Sequence, residues 1–358
     1  MKAIIPTGGR GTRMRPLTFS SNKHFIPVAN KPLIFYPIET IASLGIKEIG
    51  ITYNTGGLEE VQKLLGDGSR WGVKFTYILQ EKPLGLANIV EVCEEFVDGD
   101  SFVFHLGDNI FVDGIKDAYD YFVKNKPNGM VTMLHHSENR RMGVPYFDED
   151  GRLLKYVEKP ENPPHDFAIP GLYFADASFF KCFKGSDRLK ASGRGEFEIP
   201  DAYQWMIDQG GRVDVVEYKG VWLDPGKFDD WLGANRYLLD EKLKGEIESE
   251  IPEGSSTEGN VVIGKNCKII STQIKGPVIL GDNIQLENAI INPYASISDN
   301  CVVRNSTVGN SVILSGSRIE NIKRAIDRSL IGKDTEVVSR GENEQVSLFI
   351  GELCKVEI

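Results

Sequence analysis

Residues 3–31 read AIIPTGGRGTRMRPLTFSSNKHFIPVANK and combine a short apolar run, a glycine-rich turn and several basic side chains. The apolar run has no room for a helix before Pro6, so we predict a strand. Gly8, Gly9 and Gly11 allow positive φ angles and let backbone N–H groups approach an anion. The alternative is an ordinary turn with solvated arginines, but glycines this dense, followed by basic residues, favour a phosphate-binding loop.

Two other glycine motifs are excluded by their letters. The dinucleotide-binding pattern G-x-G-x-x-G, started at Gly9, finds Met14 where the third glycine belongs. A P-loop requires Gly-Lys-Ser/Thr at its end, whereas this loop carries Arg13 and Arg15. The loop therefore belongs to neither of these nucleotide-binding classes.

The composition is typical of a globular protein that binds neither nucleic acid nor membranes. With 358 residues the chain is long enough for two domains, because single cores rarely grow beyond about 250–300 residues. The formal net charge of −10 argues against nucleic-acid and anionic-membrane partners. We find neither a signal peptide nor an apolar run that could span a bilayer, so we expect a cytoplasmic protein. Five cysteines without a C-x-x-C pair fit reduced thiols.

Beyond the loop, apolar strands alternate with helices, a pattern that predicts a parallel sheet covered on both faces. Ligands of such sheets bind beyond the carboxyl ends of the strands. We predict these elements: strands at 49–53, 74–79, 102–106 and 130–135, a hairpin of 144–147 with 153–158, and helices at 32–44, 58–65, 86–96, 115–126, 200–209 and 228–244.

Aspartates follow two of the predicted strands. Asp108 comes shortly after the strand at 102–106, on the edge that the glycine loop also occupies, and Asp224 ends a later strand. A single aspartate in such a position is more often a turn or a helix cap. Here phosphate transfer would need a hard cation held by carboxylate oxygen, and magnesium commonly takes only one or two protein carboxylates.

The C-terminal part of the sequence has a different texture. Residues 245–256, which are acidic and contain Pro252, predict a linker. Beyond it, aliphatic residues recur every 17 positions, and steps of 6, 5 and 6 residues predict a three-sided coil of short strands, that is, a parallel β-helix. The first column consists of Ile263, Leu280, Ile297, Leu314 and Ile331. The columns blur near residues 320–325, where we expect an outward bulge.

The opening motif resembles the signature of a known family. Gly8-Gly9-x-Gly11-Thr12-Arg13-Met14-x-Pro16-Leu17-Thr18, followed by Lys23-x-x-x-Pro27-Val28 and Lys31-Pro32, is similar to the sugar-1-phosphate nucleotidylyltransferases, most of all to the long form of the glucose-1-phosphate thymidylyltransferases. The resemblance implies an α/β fold: a Rossmann-like nucleotidyltransferase domain with a mostly parallel sheet at 1–244, the linker at 245–256 and a left-handed parallel β-helix at 257–358. The left hand comes from the resemblance, not from the spacing.

The resemblance also implies roles for individual residues. The expected catalytic residues are Arg13, Lys23 and Lys159. The expected nucleotide-binding residues are Gly8, Gly9, Gly11, Thr12, Arg13, His24, Gln80, Gly85 and Asp108, with Gln80 and Gly85 on the base. The expected sugar-phosphate residues are Gly143, Glu158, Lys159, Gly171, Tyr173 and Arg194, and the expected Mg²⁺ ligands are Asp108 and Asp224. His24 departs from the family, which usually has a glutamine at this position that touches the base.

The implied reaction is the Mg²⁺-dependent, in-line transfer of a deoxythymidylyl group from dTTP to glucose 1-phosphate, which gives dTDP-glucose and pyrophosphate. One alternative is a glucose-1-phosphate uridylyltransferase that uses UTP. Another is a bifunctional protein whose β-helix is a hexapeptide acyltransferase, although all five histidines precede the linker and many such enzymes use a histidine as general base. A third is a non-catalytic sugar-nucleotide sensor. We also expect a homo-oligomer.

Overall fold

The computed structural model describes residues 1–9 and 11–339, so the last part of the predicted β-helix, residues 340–358, lies outside the described residues. Strands before the β-helix are β1 Lys2–Pro6, β2 Pro27–Val28, β3 Lys31–Pro32, β4 Glu48–Asn54, β5 Lys74–Gln80, β6 Phe102–His105, β7 Ile110–Phe111, β8 Gly129–His135, β9 Gly143–Phe147, β10 Leu153–Glu158, β11 Phe167–Ala168, β12 Leu172–Ala175, β13 Val213–Glu217 and β14 Trp222–Leu223. The α-helices are α1 Phe35–Ser43, α2 Leu58–Leu65, α3 Leu86–Glu91, α4 Glu94–Val97, α5 Lys116–Asn125, α6 Ile199–Asp208 and α7 Phe228–Glu241.

The chain divides into two compact units that are not sequential. The first contains Met1–Gly9 and Ile34–Leu223, and the second contains the described parts of residues 10–33 and 224–358. The domain boundaries expected at residues 244 and 257 assume that each domain is one continuous stretch of the sequence. They stay a prediction. No helix within the described ranges is long and apolar enough to cross a bilayer.

An eight-stranded sheet forms the centre of the first unit, in the order β11-β8-β12-β6-β1-β4-β5, with β13 also paired to β8. The four strands β6, β1, β4 and β5 are mutually parallel, as are β8 and β13. The strand β12 runs antiparallel between β6 and β8. The expectation of a mostly parallel sheet is therefore confirmed.

The core of this unit follows from strands that are apolar on both faces. Residues 3–5 of β1 and the whole of β6 are fully buried, which agrees with a sheet covered by helices on both sides. Aromatic rings fill the space between the sheet and α6, where Tyr203 stacks on Tyr173 and donates its hydroxyl proton to the Phe174 carbonyl at 3.0 Å. Such pairing satisfies the one polar atom of a buried tyrosine.

Three predicted helices differ from those in the structure by more than one residue. The helix predicted at 228–244 ends at Glu241. The helix predicted from residue 32 begins at Phe35, because Lys31–Pro32 pairs with Pro27–Val28 as a short antiparallel hairpin. The helix predicted at 86–96 is divided into α3 and α4, with Val92 and Cys93 between them.

The second unit contains the β-helix, whose strands form three stacked parallel sheets as expected for the left-handed class. Its strands are β15 Glu246–Ile247, β16 Ser256–Glu258, β17 Val261–Ile263, β18 Lys268–Ile270, β19 Gln273–Lys275, β20 Val278–Leu280, β21 Gln285–Glu287, β22 Ile290–Ile291, β23 Ser296–Ile297, β24 Val302–Arg304, β25 Thr307–Val308, β26 Val312–Ile313, β27 Arg318–Glu320, β28 Leu330–Ile331 and β29 Glu336–Val338. Within the predicted linker, β15 already pairs with β17.

One position of the predicted repeat is wrong. Ile263, Leu280 and Ile297 pair in register as expected, but Ile297 pairs with Ile313 rather than with Leu314. Ile313 is fully buried and pairs in turn with Ile331. The coil between Ile297 and Ile313 is one residue shorter than its predecessors and the next is longer, so a fixed step of 17 fails there.

Candidate active site

The glycine loop leaves β1 at a point fixed by the end of β4. Thr7 donates both its backbone N–H and its hydroxyl proton to the Thr52 carbonyl, at 2.9 and 2.8 Å. Gly9 has φ +121° and donates its N–H to Asn54 Oδ1 at 3.2 Å. A Cβ atom at Gly8 would lie 2.7 Å from the same Asn54 oxygen. Only glycine at position 8 therefore allows the loop to pass this close to Asn54.

The next part of the loop, in the second unit, exposes a basic side chain. Gly11 has φ +53°, and a Cβ atom there would lie 2.8 Å from a methyl carbon of Thr18. Thr18 donates its hydroxyl proton to the Gly11 carbonyl at 2.7 Å. The following 3₁₀ turn, Thr12–Met14, buries Met14 and leaves Arg13 exposed. The turn thus anchors the backbone while Arg13 reaches solvent.

Lys23 and His24 are both buried at the start of a second short turn, Lys23–Phe25. Asn22 Oδ1 accepts hydrogen bonds from the His24 backbone N–H at 3.0 Å and from Nδ1 of its ring at 2.8 Å.

Two basic side chains of the second unit lie near Asp224. Lys23 Nζ lies 4.0 Å from Asp224 Oδ1. A Cβ atom at Gly226 would lie 3.6 Å from Asp224 Oδ2 and 3.7 Å from Arg13 Nη1. The second unit therefore brings Arg13, Lys23 and Asp224 together.

The β-helix and α7 are hydrogen-bonded to the turn that follows Lys23, at Ala29 and Asn30. Asn235, which is 1% exposed, accepts from the Ala29 N–H at 2.9 Å and from the Ser296 hydroxyl at 2.7 Å, and its amide donates to the Tyr294 carbonyl at 3.1 Å. Asn30 donates to the Ile297 carbonyl at 2.7 Å. The turn after Lys23 is thus hydrogen-bonded both to the helix that follows Asp224 and to the coils of the β-helix.

In the first unit, Gln80 and Gly85 lie at the end of β5 as expected. Gln80 is 3% exposed, and its amide contacts the side chains of Asn54 and Asn88. Gly85 has φ +100°, and a Cβ atom there would lie 2.6 Å from the Phe197 carbonyl oxygen. The Phe197 N–H donates to the Leu84 carbonyl at 2.6 Å, which ties the segment before α6 to the Gly85 turn.

Asp108 follows β6 and lies beside a buried asparagine. Asn109 donates to Asp108 Oδ1 at 3.0 Å, and its own Oδ1 accepts from Trp222 Nε1 at 2.8 Å and from the Gly171 N–H at 3.3 Å. The strands β7 and β14 pair, with Leu223 opposite Ile110. Asn109 therefore joins the turn that carries Asp108 to the strand that leads into Asp224.

The predicted sugar-phosphate residues cluster around the hairpin of β9 and β10. Gly143 pairs with Glu158, and a Cβ atom at Gly143 would collide with the ring of Tyr156. The Tyr156 and Tyr173 hydroxyls lie 3.3 Å apart, and burial raises the pKa of both phenols. Lys159 Nζ lies 2.7 Å from Glu158 Oε1.

Two further predicted residues border this cluster. Gly171 packs so closely on the Leu106 side chain that a Cβ atom at this position would collide with it. Arg194 donates to Glu198 Oε1 at 2.8 Å, and this hydrogen bond, with the charges of Glu198, Glu196 and Glu158, raises the pKa of the guanidinium.

The two aspartates expected to bind Mg²⁺ each carry the oxygen ligands that a hard cation prefers. Among residues 1–9 and 11–339, no cluster of three or more His, Cys, Asp or Glu side chains could hold a metal. Magnesium requires fewer protein ligands than that, because it is usually bound by one or two carboxylates together with substrate phosphates and water. Asp108 and Asp224 supply ligands of this type.

Sequence reasoning missed the asparagines that support the site. Asn54, Asn88 and Asn109 contact predicted site residues directly, yet no motif singles them out. A signal was present for Asn54, because it ends a parallel strand on the predicted ligand-binding edge. Asn235 carried no such signal, since its partners are distant in the sequence.

Comparison with known proteins identifies the family of this chain. The sequence profile described as Nucleotidyl transferase matches residues 2–241, which is well over half of the chain. The chain belongs to the nucleotidyl transferase family. It is an enzyme of this family rather than a non-catalytic sensor.

Full-length relatives of this nucleotidyltransferase are known. The chain is 37% identical over 361 residues to a glucose-1-phosphate thymidylyltransferase from Streptomyces antibioticus, with 100% of this chain and 99% of the relative covered. It is 34% identical over 365 residues to the low-salt glycan biosynthesis nucleotidyltransferase Agl11 of Haloferax volcanii, with 100% of both chains covered.

A solved structure matches about two thirds of this nucleotidyltransferase. It is a Bacillus anthracis protein assigned as a glucose-1-phosphate thymidylyltransferase, in complex with sucrose, and it matches with a TM-score of 0.63 and 34% identity. The match covers 69% of this chain and 98% of that one.

Proposed function

We propose that this nucleotidyltransferase transfers a deoxythymidylyl group from dTTP to glucose 1-phosphate and releases pyrophosphate. The observation that carries the proposal is the end-to-end similarity to a glucose-1-phosphate thymidylyltransferase, at 37% identity. The geometry supports the same chemistry, because the glycine loop, Gln80 and Asp108 all follow parallel strands at their carboxyl ends.

In this reaction a phosphate oxygen of glucose 1-phosphate attacks the α-phosphorus of dTTP in line. The new P–O bond forms as the bond between the α-phosphorus and the bridging oxygen breaks, and pyrophosphate leaves with the electron pair. The protein contributes position and charge and no covalent nucleophile. Arg13, exposed on its anchored turn, stabilises charge on the leaving pyrophosphate, while Lys23 and Lys159 stabilise charge on the reacting phosphates.

Asp108 and Asp224 would hold the Mg²⁺ ion. The ion, when bound, neutralises charge on the phosphate oxygens. Asn109 donates to Asp108 Oδ1, and Lys23 lies beside Asp224 Oδ1, so each carboxylate is oriented by a neighbour. Orientation of this kind is what a metal-binding carboxylate requires.

Gln80 and Gly85 would contact the thymine base, and the hairpin around Glu158 and Lys159 would contact the sugar phosphate. Gly143, Gly171 and Tyr173 line the sugar pocket in this assignment, with Arg194 beside it. Gly143 supports this assignment because its missing side chain allows the close packing of Tyr156.

His24 remains assigned to the base, although its ring is buried and hydrogen-bonded to Asn22.

The alternatives have less support. The UTP-dependent reaction and the acyltransferase are not favoured by the names of the full-length relatives. A UDP-glucose pyrophosphorylase structure is similar at 22% identity, which supports the fold alone. The cytoplasmic location and the homo-oligomer stay predictions.

The test is a reaction of the purified protein with dTTP, glucose 1-phosphate and MgCl₂. Pyrophosphate is followed by a coupled assay and the sugar nucleotide by chromatography. We expect equimolar pyrophosphate and dTDP-glucose, and no turnover in excess EDTA. Failure to form dTDP-glucose, or full activity in EDTA, would overturn the proposal.

A further inference from the structure

A continuous chain of side-chain amides runs through Gln80. Asn88 donates to Glu91 Oε2 at 2.8 Å, and Gln80 Nε2 donates to Asn88 Oδ1 at 3.0 Å. Asn54 donates to Gln80 Oε1 at 3.2 Å, and Asn54 Oδ1 accepts from the Gly9 N–H at 3.2 Å. The chain therefore connects a carboxylate on α3 to the glycine loop, with the expected base contact in the middle.

The two ends of this amide chain fix the direction of every hydrogen bond in it. The ionised carboxylate of Glu91 can only accept, so Asn88 must turn its NH₂ group towards it and its oxygen towards Gln80. The backbone N–H of Gly9 can only donate, so Asn54 must turn its oxygen towards Gly9 and its NH₂ group towards Gln80. Both neighbours thus require the same orientation of the Gln80 amide.

Burial makes this orientation costly to reverse. Gln80 is 3% exposed and Asn88 8% exposed, so little water can replace a lost partner. If the Gln80 amide flipped, its NH₂ group would face the NH₂ group of Asn54 and its oxygen would face the oxygen of Asn88. Both hydrogen bonds would be lost, and unpaired buried polar groups are strongly disfavoured.

The fixed orientation leaves a defined hydrogen-bonding capacity for a ligand. Gln80 Oε1 accepts one hydrogen bond in the chain and has a second lone pair. The second N–H of Gln80 has only a long contact, 3.5 Å, to the Gly85 carbonyl. Thymine and uracil carry an N3–H donor beside a carbonyl oxygen, which matches this acceptor and donor. Cytosine carries an N3 acceptor beside an amino donor, which matches the reversed amide.

We propose that Asn88 and Glu91 are positioning residues that make the enzyme select thymine and uracil over cytosine by fixing the Gln80 amide. This inference rests on the proposed function, in which Gln80 contacts the nucleotide base. Neither residue touches the nucleotide in this account, and each acts through Gln80.

Glu91→Gln tests the proposal, because an amide at position 91 can donate as well as accept and no longer fixes the direction of the chain from α3, so that the Gly9 end alone still opposes a flip of Gln80. We expect the ratio of kcat/KM for CTP to that for dTTP, with glucose 1-phosphate, to rise about 10-fold, which corresponds to about 1.4 kcal/mol. The double variant Asn88→Asp/Glu91→Gln restores an acceptor-only group, now at position 88. Its ratio should return to within about twofold of the wild-type value.

Two controls separate this selection from a structural role. Glu95→Gln changes an exposed carboxylate just beyond α3 and should leave the ratio unchanged. A structural role of the chain would lower kcat/KM for dTTP and CTP together, without moving their ratio. An unchanged ratio in Glu91→Gln, or no recovery in the double variant, would overturn the proposal.

The same variants can be tested without turnover. Isothermal titration gives the Kd of dTTP and of CTP for the wild type and for Glu91→Gln. If the wild type fails to make dTDP-glucose, the proposed function fails, but the ratio of the two Kd values still measures base selection. An equal ratio in both proteins would overturn the role of Glu91 by itself.

Discussion

At the scale of single residues, the site is built from polar side chains at the ends of buried strands. The positions of Asp108 and Gln80 at strand ends could be predicted, because parallel strands present their carboxyl ends on one edge, whereas their roles stay a prediction. The prediction stopped at the asparagines. The position of Asn54 at a strand end indicates the edge on which it lies, but the sequence does not indicate that its amide contacts Gly9 or that Asn88 contacts Gln80. Their partners are known only once the strands are paired.

Replacement of either candidate metal ligand should abolish most activity. Asp108→Asn and Asp224→Asn each remove a charge from the cation site and little packing, so we expect kcat to fall by about 10²–10³, with Tm within a few degrees of the wild type. Mg²⁺ titrations of the remaining activity provide the measurement. Near-normal turnover in both variants would exclude these residues as metal ligands.

Arg13→Ala should reduce kcat by about 10²–10³, the usual effect of removing one preorganised stabiliser of developing charge. Arg15→Ala is the matched control, since Arg15 belongs to the same loop and its guanidinium lies 4.8 Å from the centre of the Phe19 ring. The two variants are compared by steady-state kinetics with saturating dTTP. Equal losses in the two variants would show a general effect of loop charge and contradict the specific role of Arg13.

Acid should destabilise the fold through His105. This ring is fully buried, its Nδ1 contacts the Leu106 carbonyl at 2.8 Å, and Nε2 has no hydrogen-bond partner among the described residues. Burial lowers its pKa from 6.5 to about 4, against smaller opposing effects of the Leu106 carbonyl and Asp108. Between these pH values the unfolded chain binds a proton that the folded protein does not, so the free energy of unfolding falls as the pH drops.

The expected contribution of His105 over this pH range is roughly 2–4 kcal/mol, at 1.36 kcal/mol per pKa unit. His105→Phe keeps a ring against Phe111 and removes the titration. Urea unfolding at pH 7.0 and pH 4.5 should therefore show a smaller pH dependence in the variant than in the wild type. The same pH dependence in both proteins would contradict this account.

At the scale of elements, propensity and period predicted most helices and strands, and failed where tertiary pairing decides. The helix α2 has the predicted bounds, whereas α1 starts late because Lys31–Pro32 pairs in a hairpin. The β-helix column was correct for three coils and failed at Leu314, where the coil length changes. Neither the pairing of distant strands nor a change in coil length can be predicted from the local sequence.

The contact of α7 with the β-helix should matter for both stability and activity. Asn235→Ala leaves the Ala29 N–H, the Ser296 hydroxyl and the Tyr294 carbonyl without this partner, so we expect a loss of about 2–4 kcal/mol. Because the same segment carries Arg13 and Lys23, misplacement should also lower kcat, by up to about 10²-fold.

Urea unfolding and steady-state kinetics measure the two effects of Asn235→Ala. Glu241→Ala, on the exposed side of the same helix, is the control and should change neither. Wild-type stability and kcat in Asn235→Ala would contradict a supporting role of the β-helix.

At the scale of the whole molecule, the sequence predicted two architectures in the correct order, a mostly parallel sheet and then a β-helix. It did not predict that residues 11–33 group with the β-helix unit, because that grouping depends on contacts between segments more than 200 residues apart, such as those of Ala29 and Asn30. The residues assigned to catalysis are accordingly divided, with Gln80, Asp108 and Lys159 in one unit and Arg13 and Lys23 in the other.

Discrimination between dTTP and UTP is expected to be the weakest part of the enzyme's substrate specificity. Thymine differs from uracil by one methyl group, which is worth only about 1–3 kcal/mol in an apolar pocket, or roughly 10- to 200-fold in kcat/KM. We therefore expect UTP to be a measurable second substrate.

The most direct test of thymidylyl transfer is a competition in one vessel. Equimolar dTTP, UTP, CTP, ATP and GTP are mixed with limiting glucose 1-phosphate, MgCl₂ and the enzyme, and the sugar nucleotides are quantified by mass spectrometry at low conversion. We predict that dTDP-glucose dominates, that UDP-glucose is second, and that the cytidine and purine products are minor. UDP-glucose ahead of dTDP-glucose, or a predominant purine product, would contradict the assignment.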